Sequence, residues 1–130
     1  MSLSLYRHAE IGRQKEYKYR TKKISVEYNG ISLYGKALIP VGESGQKFKT
    51  VIYAHGANSN YKSDMNTLKS LAGSGIACYT FDFYGWTSKS TGPKGTGWFK
   101  GTDMSDNGAY MKKVLLQAED LNAVIEKIKS

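Results

Sequence analysis

The stretch VIYAHGANSN (51–60) decides how the chain is read. Residues 50–54, TVIYA, form an apolar run with no alternation, which predicts a strand buried on both faces, as in a parallel sheet. The run stops at His55-Gly56, where a glycine lets the backbone turn sharply and brings an N–H toward whatever lies beyond the strand. Downstream, Ser63 or Asp64 is placed to cap a helix, and Met65, Leu68, Leu71 and Ala72 recur at helical spacing. Gly73 and Gly75 supply its stop. IACYTFDF (76–83) reads as the next buried strand. Strand, helix and strand within so short a span predict a βαβ crossover with parallel strands.

Upstream, KKISVEY (22–28) alternates, with Ile24, Val26 and Tyr28 on one face. Asn29-Gly30 separates it from ISLYGKALIP, and Asn-Gly between two strand-like runs predicts a hairpin with a type I′ turn. Downstream of the βαβ unit lies a long glycine-rich segment, 85–108. Then Val114, Ala118, Leu121, Ile125 and Ile128 predict one apolar stripe on a closing amphipathic helix, with Asp106 or Asn107 as its cap. Glu119 and Asp120 fall on its polar side and read as a solvated face. The expected order is β-hairpin, β, α, β, long loop, α, in an α/β class protein.

The chain has 130 residues, enough for one domain, and a net charge of +8. Seven basic residues against Glu10 and Glu16 give residues 1–23 a net of +5. This predicts a basic N-terminal extension over 1–21 and a folded domain over 22–130. A basic arm suits nucleic acid or an anionic surface, but no nucleic-acid motif accompanies it, and a solvated extension is the simpler reading. No apolar run is long enough for a membrane span, and the first residues lack a signal-peptide core. With the single Cys78 read as a core thiol, a reducing, cytoplasmic setting is expected. One cysteine and two histidines, His8 and His55, have no zinc-ligand spacing, and no cofactor motif is present: G-x-x-x-x-G-K-[ST] is absent and 95–100 lacks the third glycine of G-x-G-x-x-G.

In an open α/β sheet, chemistry sits beyond the carboxyl ends of the strands. Two turns occupy such places, HGAN (55–58) and DFYG (82–85). Backbone donors in such a turn can stabilise an oxyanion. His55 can equally be a satisfied structural histidine at a tight turn. Trp86, Trp98 and Phe99 in the long loop can wall an apolar pocket or belong to an insert.

Three segments together resemble the N-terminal half of an α/β-hydrolase-fold serine esterase, in the cinnamoyl or feruloyl esterase-like and acyl-peptidase-like branch. They are GISLYGKALIP followed by VIYAHGANSN, then LAGSGIACYTFDFYG, then TDMS followed by VLLQAEDLNAVIEKIKS. The resemblance covers residues 22–130. It implies that His55, Gly56 and Ala57 form the oxyanion turn, with the Ala57 N–H as one donor, and that Asn58, Tyr84, Trp86, Trp98 and Phe99 are candidates for the pocket wall. Asp82 would be structural, and His55 would not be the base. The substrate class implied is a small-molecule ester. Relative to the family pattern, DNGAYMKK (106–113) is interposed after Ser105.

The catalytic residues themselves are missing from the sequence. G-x-S-x-G is what the fold's nucleophile elbow requires, and no serine here has glycine at both −2 and +2: Ser44 has Gly42 but Gln46, and Ser90 has Ser88 before Gly92. No histidine follows Ser90. The expectation is therefore a sheet truncated before its nucleophile strand and inactive alone, with the open edge of 50–54 available for self-association. The competing expectation is a non-enzymatic binding domain that uses the basic arm and the aromatic loop.

Overall fold

The computed structural model describes residues 16–56, 59–84 and 107–129. Four strands form one mixed sheet: β1 (Tyr19–Tyr28), β2 (Ile31–Pro40), β3 (Lys49–Ala54) and β4 (Ile76–Phe81). Two helices accompany it, α1 (Met65–Gly73) and α2 (Asn107–Lys129). The strand order is β1-β2-β4-β3. β1 and β2 are antiparallel, β2 and β4 are antiparallel, and β3 runs parallel to β4 through the α1 crossover.

The hairpin forms as the Asn-Gly pair dictates. Asn29 and Gly30 both have positive φ, +46° and +74°, the requirement of a type I′ turn. This fixes the register Tyr28↔Ile31 through Tyr19↔Pro40. β1 therefore begins at Tyr19, which corrects the expected boundary at 22: ten residues of β2 offer ladder partners, and the strand takes all of them. Tyr17 is tied in as well, its N–H donating to the Gly73 carbonyl at 2.8 Å and its ring meeting Phe48 edge-on. Gly35, in β2, is needed where β2 crosses β4. A Cβ there would lie 2.2 Å from the Thr80 carbonyl oxygen and 2.9 Å from the Phe81 Cα.

The sheet has two covered faces. On one, α1 packs Leu68 and Ala72 against Leu38 and Cys78. The Cys78 thiol is fully buried and lies 3.5 Å from the Leu68 carbonyl oxygen, and burial pushes its pKa up, as expected of a core cysteine. On the other face, Val124 of α2 joins Val26, Leu33, Phe81 and Phe83. Asp64 precedes α1 but makes no side-chain cap bond to the helix, and Ser63 Oγ accepts from the Asn60 N–H instead. The helix stops at Gly73, and the chain turns away at Gly75 with φ +93°.

Two further sequence expectations are corrected. β3 is not buried on both faces: Lys49, Thr50, Val51 and Ala54 are exposed, and Val51 keeps 37% of its surface. Among the described residues only β4 pairs with it, so it is an edge strand. The stripe on α2 is offset: Val114, Leu121, Ile125 and Ile128 are half-buried as expected, but the centre of the buried face lies elsewhere. Ala118 is exposed, and the fully buried apolar residue is Val124. The first turns of α2 belong to one continuous helix with the rest, so residues 107–113 of the interposed segment are helical. Among the described residues no helix is long and apolar enough to cross a membrane.

Candidate functional site

The registers place the hairpin turn, the end of β3 and the end of β4 at one end of the sheet, since Gly35 pairs with Phe81 and Ala54 with Phe81. The short segment 82–84 after β4 is the hub of this end. Each of its backbone N–H groups finds an acceptor in a different part of the fold. Asp82 N–H donates to the Tyr34 carbonyl of β2 at 2.8 Å. Phe83 N–H donates to His55 Nε2 at 3.3 Å, and Tyr84 N–H to Asp120 Oδ2 of α2 at 2.9 Å. Buried backbone donors must be satisfied, and for Phe83 and Tyr84 the means are two buried side chains.

His55 follows the last residue of β3 and is 6% exposed. Because its Nε2 accepts from Phe83, that nitrogen carries the lone pair, so the ring proton sits on Nδ1, which donates to the Gly56 carbonyl at 2.9 Å. Burial lowers its pKa from the ordinary histidine value, opposed by the Gly56 carbonyl and by Asp82. A neutral ring follows, and the 3.8 Å approach of Asp82 Oδ1 to Nε2 is not an ion pair. Asp82 is fully buried and accepts the Tyr61 N–H at 2.7 Å, while Thr80 Oγ1 donates to the Tyr61 carbonyl at 2.5 Å. These bonds fasten the segment leading into α1 onto β4. His55 and Asp82 are thus both used as backbone clamps.

Asp120 overturns the reading of Glu119-Asp120 as a solvated pair. It is 1% exposed, and its carboxylate accepts both the Tyr84 N–H and the Tyr28 hydroxyl. One side chain therefore joins α2, the end of β1 and the segment after β4. Burial raises its pKa above the ordinary carboxyl value, against the lowering effect of the two bonds, and Glu119 adds a further rise. The Tyr28 phenol is raised in turn, first by burial and then by Asp120. Part of the signal for Asp120 is in the sequence: Leu121, Val124 and Ile128 step by three and four, share Leu121 and Ile128 with the expected stripe, and have the polar Gln117 on the same face. Turning the helix to that stripe brings 120 inward.

Beside this clamp an open groove of about 670 Å³ runs between the hairpin turn and α2, lined by Tyr28, Asn29, Leu115, Ala118, Glu119, Asn122 and Ala123. No protein-family model matches the chain, and no curated protein matches it in sequence.

Of the residues singled out from sequence, the structure places His55 and Gly56 at the end of β3, the histidine buried and the glycine exposed. Gly56 N–H donates to Ser59 Oγ at 2.8 Å. Tyr84 is half-buried, and its ring packs on the α2 side of the core. Ala57, Asn58, Trp86, Trp98 and Phe99 lie outside the described residues, as do 1–15 of the basic arm and 85–106 of the aromatic loop. Arg20, Lys22 and Lys23, counted with that arm, stand exposed on β1, where charge on an edge strand discourages pairing with another chain. Among the described residues no group of three His, Cys, Asp or Glu is arranged to hold a metal.

Proposed function

We propose that this chain supplies the oxyanion turn of an α/β-hydrolase-type serine ester hydrolase. The observation that supports the reading is the sheet: an antiparallel hairpin followed by a parallel β-α-β unit, in the order β1-β2-β4-β3, with His55-Gly56 at the carboxyl end of β3. In this reading the Ala57 N–H faces the oxygen of a tetrahedral acyl intermediate, and a second donor follows the nucleophile. Such a donor lowers the barrier only where charge develops in the transition state. The neutral His55 is a poor candidate for the base, because its Nε2 lone pair is already engaged by Phe83 N–H. Residues 1–130 contain no G-x-S-x-G, so in this reading the attacking serine is not among them.

Two measurements test this. The purified chain is expected to release no p-nitrophenol from a p-nitrophenyl acyl ester above the buffer rate. Hydrolysis abolished by changing one of its serines would refute the assignment. Ethylphosphonate, which mimics the tetrahedral oxyanion, is expected to move the Ala57 amide resonance in a saturable way. An Ala57 amide indifferent to it would remove the oxyanion role.

A further inference from the structure

Two of the three acidic side chains of α2 are placed unusually for so basic a chain; the third, Glu126, meets Lys129 at 3.8 Å. Glu119 and Asp120 stand together in a protein carrying 19 Lys and Arg against 11 Asp and Glu. A helical carboxylate commonly finds a cation three or four residues away. Around Glu119 those positions hold Leu115, Leu116, Asn122 and Ala123; around Asp120 they hold Leu116, Gln117, Ala123 and Val124. Neither acid forms an ion pair among the described residues. One carboxylate lines the groove, and the other lies buried behind it, bonded to the hydroxyl of the lining Tyr28.

The rest of the groove has matching chemistry. Tyr28 offers an aromatic ring, a surface that attracts cations through its quadrupole. The amides of Asn29 and Asn122 offer carbonyl acceptors. Leu115, Ala118 and Ala123 give an apolar floor, and Leu115 leaves 60% of its surface exposed. A volume of about 670 Å³ falls among those of small-molecule sites, roughly 300–1,000 Å³.

We propose that the groove between the Asn29-Gly30 turn and α2 is a binding site for a small organic cation, an ammonium carrying an aliphatic arm. The ammonium sits between the Glu119 carboxylate and the Tyr28 ring, and the arm lies along Leu115, Ala118 and Ala123. Asp120 does not touch the ligand; it holds Tyr28 in place and adds a fixed negative charge behind it. An aliphatic carboxylate of the same length meets two like charges and is excluded. The site is separate from the His55 turn, and its existence does not depend on the ester hydrolase reading.

The test is an amide-resolved NMR titration of the intact chain at low ionic strength with three probes: hexylammonium, methylammonium and hexanoate. Hexylammonium is expected to give saturable shifts at Asn29, Ala118 and Asn122. Methylammonium gives the same pattern more weakly, and hexanoate gives none. Glu119→Gln, an exposed and nearly isosteric change, is expected to weaken hexylammonium binding about fivefold, the size of one exposed ion pair. Leu115→Ala shortens the floor and weakens it about threefold. Equal shifts from hexanoate would mean apolar partitioning and overturn the proposal, as would full binding by the Glu119→Gln variant. Saturation by a lysine-rich peptide but not by hexylammonium would assign the groove to a macromolecule and overturn it too.

Discussion

His55 and Asp120 hold neighbouring amides of one short segment, Phe83 and Tyr84, yet they reach it from unlike places. His55 arrives from the end of a strand, where the following glycine marks a turn. Asp120 arrives from the middle of a helix, among residues that look solvated. Both are buried, and both act as acceptors for a backbone donor that no ladder satisfies. Their electrostatics differ. The histidine is held neutral by burial, whereas the aspartate is a carboxylate kept away from water and bonded by two donors. A buried polar group is therefore not one kind of object. Its cost depends on whether the fold has hidden a charge.

The largest expected effect breaks the Asp120 side of this comparison. Asp120→Ala leaves the Tyr84 N–H and the Tyr28 hydroxyl without their acceptor, a loss of about 2–4 kcal/mol in denaturant unfolding. Asp120→Asn keeps an acceptor oxygen and hides no charge, so it stays within about 1 kcal/mol of the parent. If Asp120→Ala behaved like an exposed helix substitution, within about 0.5 kcal/mol, the clamp would have no energetic content.

A smaller effect separates the two clamps by pH. His55→Ala removes one acceptor and an edge contact with Phe83, costing about 1–3 kcal/mol near neutrality. The folded histidine pKa lies below the ordinary 6.5, so the native state holds fewer protons than the unfolded chain. Its contribution is complete above that value and is lost as pH falls through the folded pKa. The deficit of His55→Ala therefore shrinks on acidification. Asp120 runs the other way. Its folded pKa lies above 3.8, so its contribution is complete below that value and is lost as pH rises through the folded pKa. Asp120→Asn should gain on the parent across that rise. Unfolding midpoints of the three proteins from acid to neutral pH check both signs; parallel curves would show that neither group titrates with folding.

The same contrast explains what could be read from the sequence. Asn29-Gly30 carried enough information to give the turn, its two positive φ values and the register of both strands. The parallel β3-α1-β4 crossover was legible because strand, helix and strand punctuate themselves with glycine. Burial of β3 on both faces was not, because an apolar run reports what a strand can bury; its open edge was expected from the family resemblance and not from the run itself. Rotation of α2 was not either. Two stripes share Leu121 and Ile128, and only the packing of Val124 against Phe81 and Leu33 selects between them. Asp120 was missed by the same ambiguity. His55 was found because its position at a strand end leaves no such freedom.

The smallest effect asks how the hairpin serves the Asp120 clamp. Gly30→Ala places a Cβ where nothing lies within 4 Å, so its cost is the backbone strain of φ +74° alone, about 1 kcal/mol. Tyr28 stands two residues before that glycine, and its hydroxyl donates to Asp120 of α2. A strained turn that keeps its register leaves the Tyr28–Asp120 bond intact, and the variant then keeps the parent's pH profile at a lower midpoint. Loss of the acid-range slope together with that midpoint would show instead that the turn, rather than the packing of α2, brings the phenol to the carboxylate.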